Sequence, residues 1–153
     1  MQLPYLIRVI ESHAEDLTRE VLADLRGATE TSYLRCLPED EVRKRVQSLY
    51  ANLDRWLTAR GDYDIRLLYR QLGSQRCEEG VPASEVVFAL LSVKRRLWEF
   101  IQRNASIDSA VQLYQEEELF STVSHFFDVA VYSVVDGHEA TRAAGRWVVS
   151  RAR

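Results

Sequence analysis

Catalysis needs titratable or nucleophilic side chains held at fixed spacing, and this 153-residue chain offers few such arrangements. His13, His125 and His138 are preceded three positions earlier by Ile10, Thr122 and Val135. The Glu-x-x-His pairs of a di-iron bundle are therefore missing. The zinc motif HExxH, the glycine-rich phosphate loops and the nucleophile elbow are absent as well. Cys36 and Cys77 stand far apart without CxxC or other metal-ligand spacing, the pattern of two reduced thiols. His125 and Asp128 fall on one helix face at i,i+3, a spacing that suits a metal or an acid–base pair but that surface hydrogen-bonded pairs use more often. His125 beside Phe126 and Phe127, or His138 near Val134, is the axial ligand to consider if a helical sensor holds haem. A packed or solvated imidazole is the commoner state of such a residue.

Two further places suggest binding rather than catalysis. Lys94 falls on the apolar stripe Val87, Leu90, Leu91, Trp98 and Ile101. A lysine there must be paired, or its head must reach outward along its aliphatic stem. An antiparallel following helix brings Glu116 or Glu117 level with it, so a partly buried ion pair is expected, with an anchor for an anionic ligand as the alternative. Arg76, Glu78 and Glu79 cluster at a corner between two helices, where such residues fix a turn or receive a signal or partner. The candidate ligand- or partner-binding residues are thus Arg76, Glu79, Lys94, Asp128 and His138. No catalytic residue, metal ligand or cofactor is assigned.

Periodicity and helix-stop residues read the chain as five helices. The first runs from about Pro4 to Leu25, with Leu6, Ile7, Ile10, Ala14, Leu17, Val21 and Leu22 spaced by threes and fours. Gly27 stops it, and a polar segment from Ala28 to Cys36 follows. The second opens at Pro38 with Glu39, Asp40 and Glu41 at its positive end and closes at Gly61. The third starts after Asp62 or Asp64 and reaches Gly80. Gly73 inside it implies close packing against a neighbour, because glycine there costs about 1 kcal/mol relative to alanine. The fourth opens at Pro82 and is apolar over most of its circumference, as a central helix must be. Its polar strip is Glu85, Ser92, Arg96, Glu99 and Arg103. The fifth, capped by Asp108 or Ser109, meets no breaker before Gly137 and is read as continuing toward Arg153. Phe127, Val131, Val134, His138, Thr141, Gly145 and Val148 on it repeat by fours and threes as a weak coiled-coil seam. With Trp147 and Val149 near the chain end, this seam is the expected contact of a homodimer.

Six glycines and three prolines are too few for the turns of a sandwich or barrel. The formal charge of −3 gives no sign of a nucleic-acid partner. No run of 18 apolar residues marks a membrane span, and the first residues do not read as a secretory signal. A cytoplasmic location is the expectation.

Two segments carry a family resemblance. One is Arg76-Cys77-Glu78-Glu79-Gly80-Val81-Pro82-Ala83-Ser84-Glu85-Val86-Val87. The other is Phe126-Phe127-Asp128-Val129-Ala130-Val131-Tyr132, ending in Gly137-His138-Glu139. With Leu37-Pro38 and the stretch from Leu49-Tyr50 to Trp56-Leu57, the chain resembles the N-terminal domain of RsbT co-antagonist proteins, the RsbR-type stressosome sensors. Similar domains precede histidine kinases. The resemblance implies an all-α input module that feeds an output domain, with a kinase or anti-sigma pathway component as partner; no output-domain sequence follows here. The expectation is one domain over residues 1–153: a helical bundle of about five main helices, globin-like in one reading, with a long C-terminal helix. Its role is that of a non-enzymatic sensor or interaction domain. A haem or small-molecule-binding helical sensor is the alternative.

Overall fold

A computed structural model describes residues 2–58, 61–104 and 110–151. Among them there are seven α-helices, two short 3-10 turns and no strand. The helices are α1 (Gln2–Ser12), α2 (Ala14–Gly27), α3 (Glu39–Ala51), α4 (Leu53–Leu57), α5 (Tyr63–Glu78), α6 (Ala83–Asn104) and α7 (Ala110–Arg151). The all-α class and the long final helix agree with the sequence reading. Asp108 and Ser109, expected as the cap of α7, lie outside the described residues, as do the side chains of Trp147, Val148 and Val149.

Two of the five expected helices are each broken in two, and both breaks have a local cause. At Ser12–His13 the Val9 carbonyl accepts from the Ser12 hydroxyl at 2.8 Å and from the His13 ring Nδ1 at 2.8 Å. At Asn52 the side-chain amide donates to the Ser48 carbonyl at 2.8 Å. Short polar side chains that bond a nearby carbonyl compete with the helix ladder. The core positions of the stripe from Ile7 to Leu25 are nevertheless buried on both sides of the break. Pro38 is the residue before α3 rather than its first helical one.

The core is assembled around α6, which touches α1, α2, α5 and α7. Ile10, Val21, Tyr50, Leu53, Leu97, Ile101, Leu119 and Phe126 are almost wholly buried. Phe126 stands edge-on to both Tyr69 and Phe127, joining α5 to α7. The polar strip on α6 is not a solvent face. Glu85 and Ser92 are buried, and Glu85 Oε1 accepts from the backbone N–H groups of Tyr33 and Leu34 at 2.9 and 3.2 Å. Arg96 forms a fork with Asp24 of α2, Nε and Nη2 each 2.6 Å from a carboxylate oxygen. The strip therefore binds α6 to α2 and to the 3-10 segment.

The most extensive helix pairing is α5 with α7. Gly73 and Gly137 make it possible. A Cβ at Gly73 would collide with the Val134 carbonyl, and one at Gly137 with the Arg70 carbonyl. The close packing expected at Gly73 is present, with a second glycine answering from the facing helix. Gly137 does not break α7. Ser74 and Thr141 share a hydrogen bond of 2.6 Å across the pair, and Arg70 meets Asp136 at 2.8 Å.

Candidate functional site

The corner between α5 and α6 gathers most of the charged residues singled out in the sequence. α5 ends in a left-handed glycine, Gly80, at φ +78. The Val81 N–H reaches back to the Arg76 carbonyl at 2.9 Å and the Gly80 N–H to that of Cys77 at 3.0 Å, the paired bonds of a Schellman closure. Val81 itself is buried.

Arg76 is 3% exposed and its guanidinium would be costly there alone. It lies 2.6 Å from Glu79 and 3.1 Å from Glu41 of α3. Gln75 extends this network, donating to Glu41 and Glu79 at 3.2 and 3.1 Å. Arg45 in turn donates to the Gln75 amide oxygen at 2.6 Å. On the other side of the corner, His138 of α7 donates from Nε2 to the Val81 carbonyl at 2.8 Å. Residues of α3, α5 and α7 thus meet at the turn that leads into α6. Arg76, Glu79 and His138 belong together there; Glu78 is exposed and takes no part among the described contacts.

Lys94 and Asp128 are not part of this cluster. Lys94 is half-buried with its Nζ 5.8 Å from the centre of the Trp98 ring. Among the described residues it makes no ion pair with Glu116 or Glu117, contrary to the expectation. The alternative open to lysine applies: the stem lies along apolar surface and the head rests over an aromatic face. Asp128 is exposed, and His125 bonds across the fold to Asp62 at 3.0 Å rather than to Asp128. Asp62 stands just before α5, but its side chain makes no capping bond; the carboxylate faces His125 instead.

Neither histidine is arranged as a haem ligand. The His125 side chain is 62% exposed, and the Nε2 of His138 is engaged by the Val81 carbonyl. Among the described residues no group of three His, Cys, Asp or Glu side chains could hold a metal ion. No helix among them is long and apolar enough to cross a membrane.

The expected coiled-coil seam requires correction. Phe127, Val134 and His138 are buried within their own chain, Val131 packs partly against the core, and Thr141 bonds Ser74. These positions face α5 and the core because the two glycines draw the helices together. Gly145 is exposed, and the Val148 side chain lies outside the described residues. Of the large apolar groups left exposed on this pair, Leu113 and Tyr114 lie near the start of α7, and Tyr63, Leu67 and Tyr132 line one shallow depression with Arg66, Arg70 and Asp136.

Sequence reasoning missed Glu41, Gln75 and Arg45. Glu41 looked like a charge for the start of α3 alone. Its second role depends on a contact 35 positions away, for which local spacing carries no signal.

A family model described as the RsbT co-antagonist protein rsbRD N-terminal domain matches residues 14–153. No curated protein and no solved structure matches the chain.

Proposed function

The chain belongs to the family of RsbT co-antagonist protein N-terminal domains, and from that premise we propose that it is a non-enzymatic, cytoplasmic input domain of bacterial stress signalling, folded as one unit over residues 1–153. The family match over residues 14–153 carries the reading. The course of α7 gives it a physical route. This helix of 42 residues is about 63 Å long at 1.5 Å per residue. It packs against α1, α4, α5 and α6, then is exposed from Arg142 to Gly145. A shift in the body moves such a helix as a rod.

The working unit in this proposal is a homodimer joined through the exposed face of α5 and α7, with a kinase or anti-sigma pathway component as its partner. Tyr63, Leu67 and Tyr132 supply the apolar area, and Arg66, Arg70 and Asp136 supply both signs of charge. Aromatic groups and arginines are enriched in interface cores, and mixed charge suits an isologous contact. Light scattering at tens of micromolar is expected to give a dimer, and Leu67→Glu with Tyr132→Glu a folded monomer. A purified RsbT-type kinase is expected to bind the parent more tightly than the double variant. A monomeric parent that binds no such kinase would overturn the reading.

A further inference from the structure

Between α3, α5 and α6 lies a cavity of about 260 Å³. Val46, Leu49, Leu72, Val86 and Ala89 are among the apolar groups that form its walls. Lys44, Arg45 and Arg76 also line it, and no carboxylate does. The charge of Arg76 is answered by Glu41 and Glu79. Arg45 is placed differently. Its short contact is to the neutral Gln75 amide, and the one carboxylate within 4 Å of it among the described residues is Glu41, at 3.9 Å. Burial, and then the neighbouring charge of Arg76, lower its pKa, as expected of a cation short of negative partners.

Tyr69 supplies an independent observation. It is 5% exposed and lines the cavity, yet its hydroxyl has no hydrogen-bond partner among the described residues. Tyr50, buried to a similar degree, gives its hydroxyl proton to the Val93 carbonyl at 2.7 Å. Burial raises the pKa of the Tyr69 phenol, and the charge of Arg45 acts against that rise. The wall of the cavity therefore holds, among its apolar groups, a partly compensated cation and a phenol hydroxyl without a partner among the described residues.

We propose that this cavity binds a small amphipathic monocarboxylate, with its apolar body against α6 and its carboxylate between Arg45 and the Tyr69 hydroxyl. At ~30 Å³ per water-sized group the space admits about nine non-hydrogen atoms, close to the size of octanoate, which serves as the probe with octanol as its uncharged counterpart. The site goes beyond the input-domain reading and is tested without any partner protein. A failure to bind therefore leaves dimerisation and kinase binding to be judged separately.

Calorimetric titration of the full chain, below the concentration at which the probes aggregate, is the test. Octanoate is expected to bind at least tenfold more tightly than octanol, since hydrogen bonds to a charged group carry that much discrimination. Arg45→Gln should remove most of this preference, and Tyr69→Phe should weaken octanoate several-fold. Ala89→Leu fills the cavity and should abolish binding while leaving the helical circular dichroism unchanged. The proposal is overturned if octanoate gives no saturable heat, if octanol binds equally well, or if Ala89→Leu binds octanoate like the parent.

Discussion

Asp24 and Arg96 illustrate how much a single pair of residues does in this molecule. The fork between them joins α2 to α6, and the Asp24 side chain is 18% exposed. The hydrogen bonds from Arg96 hold its carboxyl below the ordinary value of 3.8, against the opposing effect of burial. Asp24 thus binds a proton less readily folded than unfolded. The stability it contributes is complete above the unfolded pKa and is lost as pH falls through the lower folded one. Asp24→Asn is expected to cost about 1–3 kcal/mol at neutral pH. The gap between variant and parent should close in urea unfolding series taken toward pH 2–3. Equal stability at pH 7, or a gap that does not close in acid, would count against the pair. Arg76 shows the complementary case of a buried cation held by two carboxylates from different helices, which makes it a fastening of the corner before anything else.

At the scale of elements, the glycines decide the architecture. Gly73 and Gly137 let α5 and α7 approach backbone to backbone, whereas Gly145 on the same long helix has nothing within 4 Å of its added Cβ. Alanine normally favours a helix over glycine by about 1 kcal/mol. Gly145→Ala should therefore be neutral or stabilising by up to that amount. Gly73→Ala and Gly137→Ala should each destabilise by about 2 kcal/mol or more, because backbone cannot yield as a flexible side chain can. Thermal melts of the three variants check the contrast, and a common sign for all three would refute it. Gly80 acts through conformation alone: its Cβ would meet nothing, but φ is +78. Gly80→Val should cost about 1–3 kcal/mol, and a variant that melts like the parent would remove the Schellman closure from the account.

For the whole molecule, the central question is how a change in the body reaches whatever docks on it. α7 makes one rod of the α5 pairing, the His138 contact to the corner and the exposed stretch beyond it. Val81 follows the Gly80 turn and leads into α6, and the Val81–His138 bond ties that turn to α7. The cavity between α3, α5 and α6 sits where filling it would bear on that same corner, since Arg76 lines both. Replacing His138 with Phe leaves the buried Val81 carbonyl without its donor and is expected to cost about 1–3 kcal/mol in chemical denaturation. The same substitution should leave the oligomeric state in light scattering unchanged, since His138 is buried within its own chain. A folded His138→Phe protein whose oligomeric state differs from the parent's would instead return that residue to an interface.

The helical class, the apolar stripes, the close packing at Gly73 and the turn at Gly80–Pro82 are legible from the residues alone. These follow from periodicity and from residues whose backbone preferences are local. The sequence also carried the family, because the corner and the aromatic-acidic segment of α7 are contiguous. Tertiary structure alone decided which way each mixed face turns. The spacing of Phe127, Val134 and His138 suits a seam between two chains as well as one within a chain, and only the glycine-mediated approach of α5 selects the second. Lys94 could equally have met a carboxylate on the next helix; the register of α7 and the ring of Trp98 settled its place. Glu41, Gln75 and Arg45 became a network through contacts 30 to 35 positions apart. Periodicity reports on neighbours within a turn or two of helix, whereas such long-range pairs depend on how whole helices dock.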